Sequence, residues 1–65
     1  MSNPYYILGV SKGANDDEIK KAFRKRSLDT HPDRNMDKDT TNEFQDVNAA
    51  FDKIKTEDLR QQYEM

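Results

Sequence analysis

Phe44, Val47, Phe51 and Ile54 recur at intervals of three or four residues, the period of one helix face. The chain holds just eleven Ile, Leu, Val and Phe in 65 residues, so this stripe takes more than a third of its strongly apolar side chains. Any core must form around it. An apolar fraction this low falls below the roughly 20% level at which disorder becomes an option. The charge is nearly balanced, however, at 11 basic against 13 acidic residues, and disorder needs net repulsion as well as low hydrophobicity. The sequence reads as one small helix-rich domain over residues 1–65, with a core worth roughly a few kcal/mol.

Two prolines and two glycines punctuate the chain. Asn3 can cap, Pro4 suits the first helical position, and Gly9 can close the turn in a left-handed conformation, which predicts a short helix from Pro4 to Leu8. Asn15 and Glu18 form a capping-box pattern with carboxylates in the first turn, predicting a second helix to about Thr30. Pro32 pushes His31 out of the helical region, so a loop follows over about 32–39. Thr40 and Glu43 read as a second capping box, opening the helix that carries the apolar stripe. A last segment from Glu57 to about Tyr63 puts Leu59 and Tyr63 on one face. Nothing alternates with period two, so strands are not expected. Two long amphipathic helices on a short loop form an antiparallel hairpin, with the short helices over its ends and flank. The expected core is Tyr5, Leu8, Val10, Ile19, Ala22, Phe23, Phe44, Val47, Ala50, Phe51, Ile54, Leu59 and Tyr63.

Cysteine is absent, and a lone His31 cannot build a zinc site without carboxylate help, so no metal or other cofactor is expected. The first residues lack a basic segment followed by an apolar run, and no stretch is apolar enough to span a membrane. The expectation is a soluble monomer, with cytoplasm or nucleus as the default compartment. A pI near 5.2 gives no global pull toward nucleic acid, so any electrostatic function must come from local segregation of charge.

That segregation exists on the second helix. At about 100° per residue from Ile19, Ala22, Phe23, Arg26 and Thr30 fall near the apolar direction, while Lys20, Lys21, Arg24 and Lys25 point away. Such a face fits an acidic partner surface, although exposed charge by itself most often only keeps a helix solvated. His31-Pro32-Asp33 follows at once. A His-Asp pair can act as an acid/base dyad, but 65 residues offer little material for a ligand pocket, and no nucleophile with oxyanion donors completes a site. The chain is not expected to be an enzyme.

The opening Asn3-Pro-Tyr-Tyr-Ile-Leu-Gly-Val10, the basic stretch Asp17-Glu-Ile-Lys-Lys-Ala-Phe-Arg-Lys25 and the loop His31-Pro-Asp-Arg-Asn35 together resemble the J domain of DnaJ-like heat shock protein 40 co-chaperones. Phe44, Val47, Asn48, Ala50, Phe51, Ile54, Leu59, Arg60 and Tyr63 continue the match, which runs over about residues 3–64. The resemblance implies an all-α four-helix fold. It also implies docking on the ATP-bound form of a heat shock protein 70 (DnaK-type) chaperone and stimulation of that partner's ATP hydrolysis. Lys20, Lys21, Arg24 and Lys25 would meet an acidic surface; His31, Pro32 and Asp33 would deliver the signal, with Arg34 and Asn35 extending the contact.

Three residues depart from the family pattern: Arg26 for a usual Leu, Asp29 for a usual Lys, and Thr30 for the Tyr before the His. Arg26 is expected to carry its charge to the helix edge, or to pair with Asp52 or Asn48 across the hairpin. The departures point to lowered stability, with a gain on Arg26→Leu, and to weakened or selective coupling. The competing reading is a J-like scaffold or regulatory module with weak or no chaperone activation. A helix-turn-helix nucleic-acid binder is more distant, because the net charge is −2.

Overall fold

The computed structural model describes residues 3–31, 33 and 40–64, and its first two helices start on local signals. Helix α1 spans Pro4–Leu8; Asn3 Oδ1 accepts from the Tyr5 amide at 2.8 Å. It ends at Gly9, whose φ of 76° lets its N–H return to the Tyr5 carbonyl at 2.9 Å. Helix α2 spans Asp16–Thr30 and opens on a complete capping box. The Glu18 amide donates to Asn15 Oδ1 at 2.9 Å, and the Asn15 amide donates to Glu18 Oε1 at 3.0 Å. His31 is extended, as the residue before a proline should be.

Helix α3 spans Thr41–Ile54, and its start corrects the expected capping box. Thr40 has φ −106° and ψ 13°, outside the extended region in which a capping side chain turns back to the first amides, and it makes no cap bond. Its hydroxyl instead donates to the Thr30 carbonyl at 2.7 Å, satisfying an acceptor at the end of α2. Helix α4 spans Glu57–Glu64, capped by Thr56, whose hydroxyl accepts from the Leu59 amide at 3.2 Å.

Among the described residues the fold is all helix, and α2 and α3 run antiparallel: Thr30 meets Thr40 at one end, and Phe23 stacks on Phe51 farther down. The two rings lie 4.1 Å apart at 15°. Helix α1 packs chiefly on α3 and more lightly on α2, while α4 lies against the end of α3. Tyr5, Leu8, Ala14, Ile19, Val47, Ala50 and Ile54 form the core, with Ile7, Val10, Ala22, Phe23 and Phe51 packed around it.

Three expected core residues sit farther out. Phe44, in the first turn of α3, is half-buried; on α4, which buries no residue completely, Leu59 is half-buried and Tyr63 is 41% exposed. Ala14 and Ile7 take their share of the interior. Arg60 fastens α4: Nη1 donates to the Ile54 carbonyl at 2.9 Å and Nη2 ion-pairs with Asp16.

Candidate partner-docking surface

The geometry of α2 sorts its side chains into two classes. Ile19 is fully buried, and Ala22, Phe23 and Ser27 are half-buried toward the bundle. Lys20, Lys21, Arg24 and Lys25 are exposed, as their helical phase requires. Among the described residues none of the four, nor Arg26, forms an ion pair, whereas Lys12, Lys55 and Arg60 pair with Glu64, Asp52 and Asp16. The anions of α2, Asp16, Asp17, Glu18 and Asp29, lie at its two ends, so the cations between them stand together and carry a local positive potential that the net charge of −2 conceals. Leu28, 54% exposed, stands amid these cations, nine positions and therefore about 180° from Ile19. Helical arithmetic places it there from sequence alone, but attention to charge passed it over.

At the C-terminal end of this face lie His31 and Asp33. The His31 ring meets Phe44 of α3 edge-on, with centroids 5.2 Å apart at 74°. The Asp33 amide donates to His31 Nδ1 at 3.2 Å. The Asp33 carboxylate, 91% exposed, has Oδ2 3.8 Å from Nδ1. The imidazole is thus held by α3 and by the loop backbone, while the carboxylate faces outward. Pro32, Arg34 and Asn35 lie outside the described residues. The expectation that they belong to this corner stays with the sequence.

Arg26 takes the first of its two expected courses. Its side chain is exposed and its guanidinium lies over the end of α1, so close that a Cβ at Gly9 would stand 3.2 Å from Nη2. The two partners expected across the hairpin are occupied otherwise: the Asn48 amide donates to the Phe44 carbonyl at 3.0 Å, and Asp52 pairs with Lys55. Thr30 turns its hydroxyl back to the Arg26 carbonyl at 2.8 Å, a bond that the usual Tyr could not make.

Comparison with known proteins gives the family of the chain. The DnaJ domain model matches residues 3–64. The Chaperone protein DnaJ of Clostridium perfringens is 49% identical over 61 residues, covering 92% of this chain and 16% of that protein. That of Campylobacter hominis is 49% identical over 65 residues, covering 98% and 18%. DnaJ homolog subfamily C member 10 of Xenopus laevis is 48% identical over 60 residues, covering 92% and 8%. The chain spans less than a fifth of the length of each of these relatives. With the family model running through all four helices, the chain belongs to the DnaJ (J) domain family and is a non-enzymatic co-chaperone module.

Proposed function

We propose that residues 1–65 act as a single monomeric J domain that docks on an ATP-bound heat shock protein 70 (DnaK-type) chaperone and stimulates its ATP hydrolysis, in support of protein folding. The observation that carries this reading is the juxtaposition of an exposed cationic face on α2, without an ion pair among the described residues, with the His31 and Asp33 corner at its end. Lys20, Lys21, Arg24 and Lys25 steer the encounter with an acidic surface in a salt-dependent way. Leu28 adds an apolar contact among them.

His31, Pro32 and Asp33 deliver the activating signal, with Arg34 and Asn35 beside them. The exposed Asp33 carboxylate is suited to charge-assisted bonds from a basic group of the partner, which are stronger than neutral ones. Stimulation requires that the module bind the hydrolysing arrangement of the chaperone better than the resting one, since only differential affinity shifts a population. Single-turnover ATP hydrolysis by a DnaK-type chaperone, with wild-type domain and His31→Gln side by side, tests the reading. Stimulation by wild type alone is expected. Equal stimulation by both, or by neither, would replace it with a J-like scaffold that binds without activating.

A further inference from the structure

Between the end of α1 and the flank of α2 lies a notch of about 310 Å³, lined by Leu8, Gly9, Ala22, Lys25, Arg26 and Asp29. Its apolar back is the buried Leu8 and half-buried Ala22, and at Gly9 the wall is bare backbone. The guanidinium of Arg26 lies against that bare stretch, and Lys25 borders the same space. Neither cation has a carboxylate of the described residues within ion-pairing distance. Two neighbouring cations over a concave, partly apolar floor recognise an anion, and a guanidinium fork takes two oxygens of a carboxylate or a phosphate side by side.

We propose that this notch is a carboxylate-binding subsite that extends the α2 docking face round to α1, with Arg26 as the residue that reads the anion. The inference rests on the docking reading above, because Lys25 belongs to both surfaces and a partner lying on Lys21 and Lys25 reaches the notch. Asp29 on the rim argues for a singly charged acidic side chain of a protein rather than a phosphate, which would bring more negative charge against it. The net charge of −2 weighs against a nucleic acid in the same way. Arg26 is then a selectivity residue: partners with an acidic side chain opposite it are favoured over those with an apolar one.

Amide and guanidinium NMR during titration with acetyl-Glu-Glu-Glu-amide tests the site directly. Saturable shifts of the Gly9 amide and Arg26 Nε are expected in the wild type. The Gly9 shift should vanish in Arg26→Leu and return in part in Arg26→Lys, with shifts along Lys20 and Arg24 unchanged. On an ATP-loaded DnaK-type chaperone, Arg26→Leu should bind about threefold to fivefold more weakly at low salt, a difference that salt removes. A silent Gly9, or one that responds alike in wild type and Arg26→Leu, would overturn the subsite whatever the chaperone does. Tighter binding of inorganic phosphate than of the peptide would overturn the carboxylate assignment. A responsive notch in a domain whose His31→Gln variant stimulates hydrolysis as well as the wild type would instead refute the activation reading and leave the subsite standing.

Discussion

The Thr40 hydroxyl donates to the Thr30 carbonyl at 2.7 Å and thereby ties together the two ends of the segment that carries His31 and Asp33. Thr40 is 5% exposed, so the bond is shielded from competing water. Thr40→Val keeps the shape and deletes the donor, leaving the Thr30 carbonyl short of a partner. A loss of about 1–2 kcal/mol is expected in urea unfolding. Stimulation of the chaperone should fall by more than stability explains, because the corner loses its anchor. An unchanged unfolding midpoint would show that the tie contributes nothing.

Ser27 Oγ is buried on α2 without a hydrogen-bond partner among the described residues. Removing it relieves an unsatisfied polar atom and supplies a better helix former. Ser27→Ala is therefore expected to raise stability by about 1 kcal/mol, seen as a higher melting temperature. A lower melting temperature would mean that the hydroxyl is satisfied in solution.

The helices were legible because their signals are local. Asn3, Pro4 and Gly9 bound α1, Asn15 with Glu18 opens α2, and the Phe44 to Ile54 stripe draws α3. The segregation of Lys20, Lys21, Arg24 and Lys25 from the core was legible for the same reason, since helical phase depends on spacing alone. Thr40 was misread because a capping pattern names a possible bond, and the competing acceptor on Thr30 comes near only once the hairpin has closed. Arg60 reaching both Asp16 and the Ile54 carbonyl is likewise a product of tertiary packing, invisible in a stretch that reads simply as Leu-Arg-Gln-Gln-Tyr. The Arg26 position could be narrowed to two courses from sequence, and the bare Gly9 backbone beside it decided between them.

Arg60 joins three elements: its own helix, the end of α3 and the start of α2. Its side chain is 12% exposed while that of Asp16 is 50% exposed, so the two ends of the pair are not equivalent. Arg60→Ala orphans a carbonyl and opens packing, with an expected loss of about 2 kcal/mol. Asp16→Asn retains a hydrogen-bond acceptor at a half-exposed site and should cost under about 1 kcal/mol. Urea titration of the two variants checks the ordering, and equal losses would place the stabilisation in the ion pair rather than in the carbonyl bond.

Burial pushes the Tyr5 phenol above its usual range, and the nearby Glu64 carboxylate, whose Oε1 accepts from the hydroxyl at 3.4 Å, adds to the effect. A proton held more tightly in the folded state contributes stability that is complete below the unfolded value of about 10 and is lost as pH climbs toward the higher folded value. Melting temperatures between pH 8 and 11 should therefore hold steady and then fall. Tyr5→Phe should have a smaller alkaline fall than wild type, since lysine deprotonation remains in both. Parallel alkaline falls would remove Tyr5 as the cause.

Asp29 is exposed near the C-terminal end of α2, where the helix brings its cations toward the His31 corner. A carboxylate there reduces the potential offered to an acidic partner, and an anion in the last turn is also unfavourable to the helix dipole. Asp29→Lys should strengthen binding to an ATP-loaded DnaK-type chaperone about threefold to tenfold at low ionic strength. The gain should shrink as salt rises and appear mainly in the association rate, because long-range charge acts on encounter. Stopped-flow association at two salt concentrations measures both features. A gain confined to the dissociation rate and insensitive to salt would mean that residue 29 makes a direct contact, and the electrostatic account of this end of the face would be withdrawn.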